Sequence, residues 1–420
     1  MKRLLSLLFA GSLAAAAAAQ TPVAGALQSY NEQKRGQLRS MQYVPEGRAF
    51  VCVNGTNRFT RALYGGPSDY RVETSDRPVF AVVKKGHHRS VRFVVNGVPL
   101  DSTDYCKAFY QDGMREYWLA DRRWEAYGRG VLKVRVAALR DEEGAIWQFV
   151  ANDTPRPLRV STRVCQIANP KLKRNGDLGA DAPGVFEPAP GEPGLVVTPA
   201  MSVGKDAYAH VVVRLDQVVN MPDGDAYELW QRTVEQNRRM ASRVEFSTPD
   251  PYINTLGGAL VMAADGDWDG KTWLHGCIGW RMPLAGWRAA YAGDVLGWGE
   301  RAVSHFDAYA KSQVTDVAPT RPHPTQDAKM NMARAEKSWG TQMYSNGYIC
   351  RNPERNDQMH HYDMNLNYMD ELLWHFQFDA DRDYMRRLWP TIKAHLAWEK
   401  RNFDPDGDHL YDAYCCIWAS

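Results

Sequence analysis

Between Asp265 and Trp298 the sequence gathers the residue types that could bind and cleave a sugar. This stretch contains five tryptophans, four aspartates, two arginines and one histidine. Flat indole faces stack on the apolar faces of pyranose rings, and carboxylates and guanidinium groups hydrogen-bond to the hydroxyls. A pair of carboxyl groups can supply the acid and the base of glycoside hydrolysis. The stretch is therefore our first candidate site.

Its first half is rich in Gly and Asp, which predicts a loop up to about Pro283. Asp267 and Asp269 are the candidate acids, because a neighbouring indole raises the pKa of a carboxyl group by desolvation. Alternating aspartates could also bind calcium or form a solvated turn, and no metal is predicted. The candidate substrate-binding residues of this loop are Trp268, Trp273, His275 and Arg281.

A second candidate group is the segment HHYDMNLN, at the predicted start of a helix. A helix N-terminus favours the ionised form of a carboxyl group, which suits Asp363 to act as a general base. The alternative is that Asp363 only caps the helix. The two histidines lack a third metal ligand at a recognised spacing. The candidate substrate-binding residues here are His360, His361, Asn365 and Asn367.

The elements that must position these residues fall into two classes. From Met41 to about Asp216, short β-branched or alternating runs are separated by Gly, Pro and Asn turns, which predicts an antiparallel sandwich. Its predicted strands are 49–53, 79–83, 91–95, 116–120, 131–136, 146–150, 159–165, 195–198 and 210–215. The stretch from Asn169 to Gly194 is rich in Pro and Gly and is predicted to be a long surface loop.

Helical periodicity replaces this pattern after residue 225. Thr248 is the predicted N-cap of the second helix, and Pro390 is expected to kink or restart the last one. The predicted helices are 226–244, 248–264, 283–313, 363–378 and 382–402. Trp287, Tyr291 and Trp298 recur at helical spacing, which favours a place in the core. The predicted organisation is a sandwich domain at 41–225, a linker helix at 226–247 and a helical domain at 248–420.

The net charge, the N-terminal segment and the cysteine count argue against several classes of protein. The 420-residue chain carries a formal charge of only +2, which argues against a nucleic-acid partner. Residues 1–19 have a basic start, an apolar run and an alanine-rich end, which predicts a signal peptide and a periplasmic or secreted protein. The residue at the predicted cleavage point, Gln20, is not a cysteine, so no lipid or other membrane anchor is expected. Seven cysteines without a CxxC spacing do not indicate a zinc site.

The order of these parts resembles the six-hairpin glycosidase superfamily, whose members place a supersandwich before an (α/α)6 toroid. The likeness is closest to a bacterial family known as domain of unknown function 4450, and it rests on NGTNRFTRALYGG, SDYRVETSDRPVF and WLHGCIGWRMPLAGWR. The segment YDMNLNY is distantly similar to glycoside hydrolase family 95. The resemblance implies a multi-domain β-then-α fold.

A toroid needs twelve helices, on the order of 300 residues with their loops. About 175 residues follow Phe246. We therefore expect an incomplete toroid in a truncated chain, which intact-mass measurement of the native protein would test.

These observations predict an exported glycoside hydrolase that acts on a plant or host polysaccharide or oligosaccharide. The resemblance implies an inverting reaction with two carboxyl groups and no cofactor. Asp363 is the expected base, and Asp267 or Asp269 the acid. One alternative is a polysaccharide lyase, for which Tyr362 or His361 could be the base and Arg281 the cation. The other alternative is a glycan-binding protein without catalysis.

Overall fold

The computed structural model describes most of the chain after residue 42. The described residues are 43–56, 59–66, 69–84, 87–124, 132–152, 154, 156–167, 187, 190–191, 194–203, 208–215, 217–275, 282–286, 290–321, 326–327, 332–333, 338–359 and 362–411. For 59–60, 195–203, 275, 291, 326–327, 332–333 and 363 the description covers the backbone only. The predicted signal peptide, most of the predicted loop at 169–194, and Trp287 lie outside these residues, as does the side chain of Tyr291.

The first sheet has eight strands. In spatial order they are β1 (Val44–Glu46), β2 (Ala49–Val53), β8 (Tyr105–Gln111), β9 (Met114–Ala120), β10 (Leu132–Ala138), β11 (Gly144–Ala151), β14 (Tyr208–Arg214) and β15 (Gln217–Val219). From β2 to β15 each neighbouring pair is antiparallel. Burial alternates along β9, as expected for a strand that turns one face to a core.

The second sheet has seven strands, and its pairs are also antiparallel. In spatial order they are β13 (Leu195–Val203), β12 (Leu158–Gln166), β6 (His87–Val95), β5 (Phe80–Lys84), β4 (Arg71–Ser75) and β3 (Phe59–Tyr64), with β7 (Val98–Pro99) paired to β6. Two short hairpins lie elsewhere: β16 (Leu274–His275) with β17 (Met282–Pro283), and β18 (Gln326–Asp327) with β19 (Met332–Ala333).

The two large sheets pack face to face through aromatic side chains. Phe80 and Phe93 of the second sheet meet Tyr117, Trp147 and Phe149 of the first, with ring centroids 5.0–5.9 Å apart and mostly edge to face. All five side chains are almost fully buried. Such contacts add to the hydrophobic burial that holds the layers together. The β region is therefore sandwich-like, as the sequence predicts.

The described residues contain six α-helices, all after the sandwich, so the predicted order of β then α is confirmed. They are α1 (Asp223–Ala241), α2 (Pro251–Gly266), α3 (Ala290–Val295), α4 (Gly299–Ala310), α5 (Asp363–Asp379) and α6 (Arg382–Phe403). Helix α1 covers part of the outer face of the first sheet, with Leu229, Trp230 and Val234 against Ala137 and Ile146. The later helices share a second core. None of the described helices combines the length and the apolarity that crossing a membrane requires.

Several details of the helical prediction are wrong. The N-cap of α2 is Asp250, whose Oδ1 accepts the Tyr252 N–H at 2.8 Å, while Thr248 hydrogen-bonds to Asn254 instead. The single helix predicted at 283–313 is wrong at its start, because Pro283 lies in β17, and it is interrupted between α3 and α4 by Gly297, whose φ of +71° favours glycine and ends a helix. Helix α6 runs through Pro390 as one helix, so the expected restart does not occur, and the expected kink stays a prediction.

Candidate functional site

The end of helix α2 is fixed against the sandwich. Gly266 lies so close to Tyr64, the last residue of β3, that a Cβ on the glycine would be 2.4 Å from the tyrosine ring. Gly65 lies equally close to the Leu139 carbonyl, which follows β10. These close approaches require glycine, and they bring the start of the predicted sugar-binding loop next to two turns of the sandwich.

A cleft of about 230 Å³ opens at this meeting point, and we call it the junction cleft. The turn between β10 and β11 forms one side, α1 a second side, and the end of α2 with the start of α4 the third. Its described lining residues are Gly66, Arg140, Asp141, Gln236, Arg239, Met240, Arg243, Asp265, Trp268 and Arg301. The cleft thus combines an indole, two carboxylates and four guanidinium groups from three parts of the chain.

Asp265 is the centre of its polar network. Arg140 of the sandwich places Nη1 2.7 Å from Asp265 Oδ2, and Arg301 of α4 donates from Nη1 to Oδ1 at 3.0 Å. The aspartate is only 6% exposed. A buried carboxylate is stable when it is paired on both oxygens. Asp265 therefore joins the sandwich to the helices and orients both arginines.

Two of the cleft arginines lie over indole rings. The guanidinium carbon of Arg301 is 4.3 Å from the Trp298 ring centroid and 5.4 Å from that of Trp268. Arg243 lies 5.5 Å from the Trp298 centroid and donates from Nη1 to the Leu296 carbonyl at 2.7 Å. Cation–π contacts of this kind restrict a guanidinium group while leaving some of its N–H donors available.

Trp268 and Trp273 have different environments although five positions separate them. Trp268 is 8% exposed and forms part of the cleft wall. Trp273 is 2% exposed, donates from Nε1 to Ala264 O at 3.3 Å, and packs against Trp268 and Trp298. Trp268 can contact a ligand at its edge. Trp273 supports that wall from the core and presents no face to a sugar.

His305 holds the backbone beneath this wall. Its Nδ1 accepts the Trp273 N–H at 3.2 Å, and its Nε2 donates to Ala285 O at 3.0 Å. Complete burial lowers the pKa of His305 to about 4, so the ring is neutral near pH 7. In the tautomer that carries the proton on Nε2, both ring nitrogens are hydrogen-bonded. The histidine therefore connects the backbone at Trp273, within the predicted loop, to the backbone at Ala285, just after it.

The two candidate acids of the loop are not equivalent. Asp269 is exposed, and its Oδ1 accepts the N–H groups of Lys271 and Thr272 at 2.8 and 2.7 Å. This is the geometry of a turn stabilised by its own aspartate, as in the solvated-turn alternative. Asp267 is the half-buried C-cap of α2, and its carbonyl accepts the Leu274 N–H at 2.8 Å. Of the candidate acids and substrate-binding residues of this loop whose side chains are described, Trp268 alone lines the junction cleft, beside Asp265.

The second candidate group surrounds the start of α5. The helix begins at Asp363, and the N-cap is Tyr362, which makes no side-chain cap hydrogen bond. Asn365 is fully buried, and its side-chain amide bonds to both the N–H and the carbonyl of Ile349. It therefore clamps a core segment and cannot reach a sugar in this structure. Asn367 is half-buried. A Cβ added to Gly286 would lie 2.8 Å from the Cβ of Asn367, so the two residues are close together.

Several predicted residues remain without a described side chain. His275 has only its backbone described, paired with Met282 in the β16–β17 hairpin. For Asp363 the position at the helix start is the described fact. Arg281, His360 and His361 lie outside the described residues.

The four cleft arginines were not predicted from the sequence. One signal was available in the predicted helix 226–244, because Gln236, Arg239, Met240 and Arg243 recur at i, i+3, i+4 and i+7, the spacing of one helix face. No comparable signal connects Arg140 or Arg301 to Asp265, since those contacts span 125 and 36 positions of the chain.

Part of the sandwich matches a known family. Residues 86–192 match the model of Domain of unknown function (DUF4450). The likeness to this family is therefore confirmed for the segment from β6 to β12, which includes Arg140 and Asp141 of the cleft. A search of curated proteins found no match.

Proposed function

We propose that this chain is an exported glycoside hydrolase. The observation that carries the proposal is the junction cleft, where Trp268, Asp265 and Arg301 meet between a β-sandwich and a helical region. Indole faces, carboxylates and guanidinium groups are the partners that a polyhydroxylated ring needs. Function resides in such a site rather than in the fold, so the cleft has more weight than the architecture.

The architecture adds support of a second kind. We propose that the helices belong to an (α/α)6-type toroid of the six-hairpin superfamily, with a distant likeness to glycoside hydrolase family 95. Helices α5 and α6 are joined by only Ala380 and Asp381, and Leu372 and Leu388 belong to one core. A connection this short is typical of a helical hairpin, which is the repeating unit of such a toroid.

The proposed reaction uses two carboxyl groups. Asp363, at the positive end of α5, is the base that removes a proton from water. Asp267 is a better acid than Asp269, because the carboxylate of Asp269 already closes a turn. Inversion requires the two carboxyl groups to be separated by roughly 6.5–9.5 Å, so that water and substrate fit between them.

Exchange of Asp363 for Asn tests this assignment. We expect D363N to lower turnover on a cleaved glycan by at least roughly 10²-fold, since a general base contributes about 10²–10⁴-fold. The substrate is first identified by incubating the full chain with a panel of glycans and measuring new reducing ends. Asp379, which is exposed at the other end of the same helix, provides the control variant D379N. Equal turnover by D363N and D379N would remove Asp363 from the mechanism.

A polysaccharide lyase is the second candidate, and the four cleft arginines favour it. Lyases neutralise a uronate carboxylate with a cation before a base removes the neighbouring proton. Tyr362 or His361 would be the base, with Arg281 as an additional cation. The same incubations separate the two reactions, because a lyase forms an unsaturated product that absorbs in the ultraviolet and a hydrolase does not. Binding without product formation would indicate a glycan-binding protein.

Export is a separate part of the proposal. It rests on the basic, apolar and alanine-rich segments of residues 1–19. The expected mature N-terminus is Gln20, which N-terminal sequencing of the exported protein would show. A cell-associated protein that retains Met1 would contradict export by this route.

A further inference from the structure

We propose that the junction cleft is a subsite for the carboxylate of an acidic sugar residue. This inference rests on the proposed action on glycans and narrows the substrate to glycans that contain uronic acid. Such a subsite gives a role to four arginines that have none in the sequence-based predictions: Arg140, Arg239, Arg243 and Arg301.

The charge of the lining is the first support. Four arginines face two aspartates in the cleft, so its described residues carry a formal charge of +2. The whole chain has the same formal charge over 420 residues. The cleft is therefore a local concentration of positive charge, which attracts an anionic group within a Debye length of about 8–10 Å at physiological ionic strength.

The second support is that the four arginines differ in their partners. Arg140 and Arg301 are paired with Asp265, and their side chains are only 11% and 23% exposed. Arg239 on α1 and Arg243, two residues beyond the end of α1, are both exposed. Neither makes an ion pair with another described residue. Two cations thus hold the internal carboxylate, and two remain for a ligand.

Preorganisation is the third support. Arg243 is fixed by its bond to Leu296 O and by the Trp298 ring, and Arg301 is fixed by Asp265 and two indoles. A guanidinium group that is already ordered loses less side-chain entropy when it binds a carboxylate. A bidentate geometry with an anion is then available to the remaining N–H donors.

The volume of the cleft and the Trp268 side chain in its wall favour a sugar carboxylate over a free inorganic anion. The volume of about 230 Å³ is smaller than the roughly 300–1,000 Å³ of pockets that enclose a whole drug-sized ligand. The cleft therefore accepts one residue of a longer chain, and its open side allows the chain to continue. Trp268 gives the apolar contact that a sugar ring uses and that a free inorganic anion does not need.

The test measures binding of matched oligosaccharides by calorimetry. One contains a uronic acid, the second is the same oligosaccharide with its carboxyl group reduced to an alcohol, and the third carries a sulfate ester instead. They are titrated into the full chain, the double variant R239Q/R243Q and the control R386Q. Arg386 is exposed on α6 and, among the described residues, forms an ion pair with Asp383 three positions away, so R386Q removes one positive charge outside the cleft.

We expect the uronate ligand to bind the unmodified chain and R386Q equally, and to bind R239Q/R243Q at least about tenfold more weakly, because charge-assisted hydrogen bonds are lost. The carboxyl-reduced ligand should bind all three proteins equally weakly. The double variant also loses the Arg243 contacts with Leu296 O and Trp298, so the thermal unfolding midpoints of both variants are measured to establish that each protein is folded. Tighter binding of the sulfated ligand would overturn the choice of carboxylate.

The outcomes separate this inference from the proposed function. Cleavage of a neutral glycan, with no preference for the uronate ligand, would overturn the acidic subsite and leave a hydrolase. Uronate binding that depends on Arg239 and Arg243, without any product, would support the subsite and contradict the hydrolase. Equal binding of the uronate ligand to all three proteins would overturn the subsite in either case.

Discussion

Two regions of the molecule pair arginine with aspartate in different surroundings. Inside the sandwich, Arg115 of β9 is completely buried, donates from Nε to Thr74 Oγ1 at 3.0 Å and from Nη2 to Ser75 O at 3.3 Å, and lies 4.0 Å from Asp76. In the junction cleft, Asp265 is buried but its partner Arg301 is partly exposed. The first region is sealed between two sheets, and the second opens to solvent.

The difference distinguishes an ion pair that only stabilises the fold from one that can also take part in ligand binding. In the sealed region the guanidinium group joins the first sheet to residues of β4, and the side chains of Arg115 and Asp76 are fully buried. In the cleft the carboxylate uses one N–H group of Arg301, and the cleft arginines retain donors that face solvent. The same pair of residue types therefore stabilises one region and, in our account, binds a ligand in the other.

Removing the sealed arginine should have the largest effect on stability. In R115M, Asp76 loses its cation while it remains fully buried. Breaking a buried pair from one side costs about 3–5 kcal/mol, and we expect a loss of that size in urea denaturation. R386M, at an exposed pair, should change the free energy of unfolding by less than about 1 kcal/mol. A loss below about 1 kcal/mol in R115M would show that the sandwich does not depend on this contact.

His305 provides a second test of a sealed polar group, with a smaller expected effect. Its pKa falls from 6.5 to about 4 on burial. Between pH 4 and 6.5 the unfolded chain binds this proton more readily than the folded chain does. The contribution of neutral, buried His305 to stability is therefore fully present above about pH 6.5 and decreases as the pH falls toward 4. The shift corresponds to about 3 kcal/mol. Unfolding free energies measured between pH 4 and 7 should show this slope, and H305Q should reduce it. H409Q, at an exposed histidine, should leave it unchanged.

Exchange of the cleft carboxylate of Asp265 should cause the smallest loss of stability of the three. It should also increase the stabilisation of the protein by added anions. In D265N, Arg140 and Arg301 lose their shared partner. We expect a loss of about 1–2 kcal/mol, less than at Arg115, because Arg301 is screened by solvent. Sulfate should then raise the unfolding midpoint of D265N more than that of the unmodified chain, relative to chloride at equal ionic strength. D383N, at an exposed aspartate, is the control. An equal sulfate response in all three proteins would contradict an open anion site.

Much of the fold was predictable because its strands follow simple burial patterns. The run AFVCV of β2 is apolar and buried at four consecutive positions, and its predicted bounds match the structure. The strand β4 was missed, because its sequence RVETS is mainly polar although every residue is buried. Arg71 and Glu73 of this strand pair with each other, so their burial depends on a contact that periodicity does not show.

The site was predictable only where local sequence determines it. The loop from Asp265 to Trp273 does contribute to a cleft, through Asp265 and Trp268. Trp268 and Trp273 look alike in sequence, but the hydrogen bond between Trp273 N and His305, 32 positions away, helps to fix Trp273 in the core. The cleft itself depends on chain segments that meet only after folding, and local patterns do not encode such meetings.

The most direct measurement of the central claim is a crystal structure of the full chain with a uronic-acid-containing oligosaccharide. The account predicts a carboxylate within hydrogen-bonding distance of Arg239 or Arg243 and a sugar ring against Trp268. An oligosaccharide bound elsewhere, with the junction cleft occupied only by solvent, would contradict it.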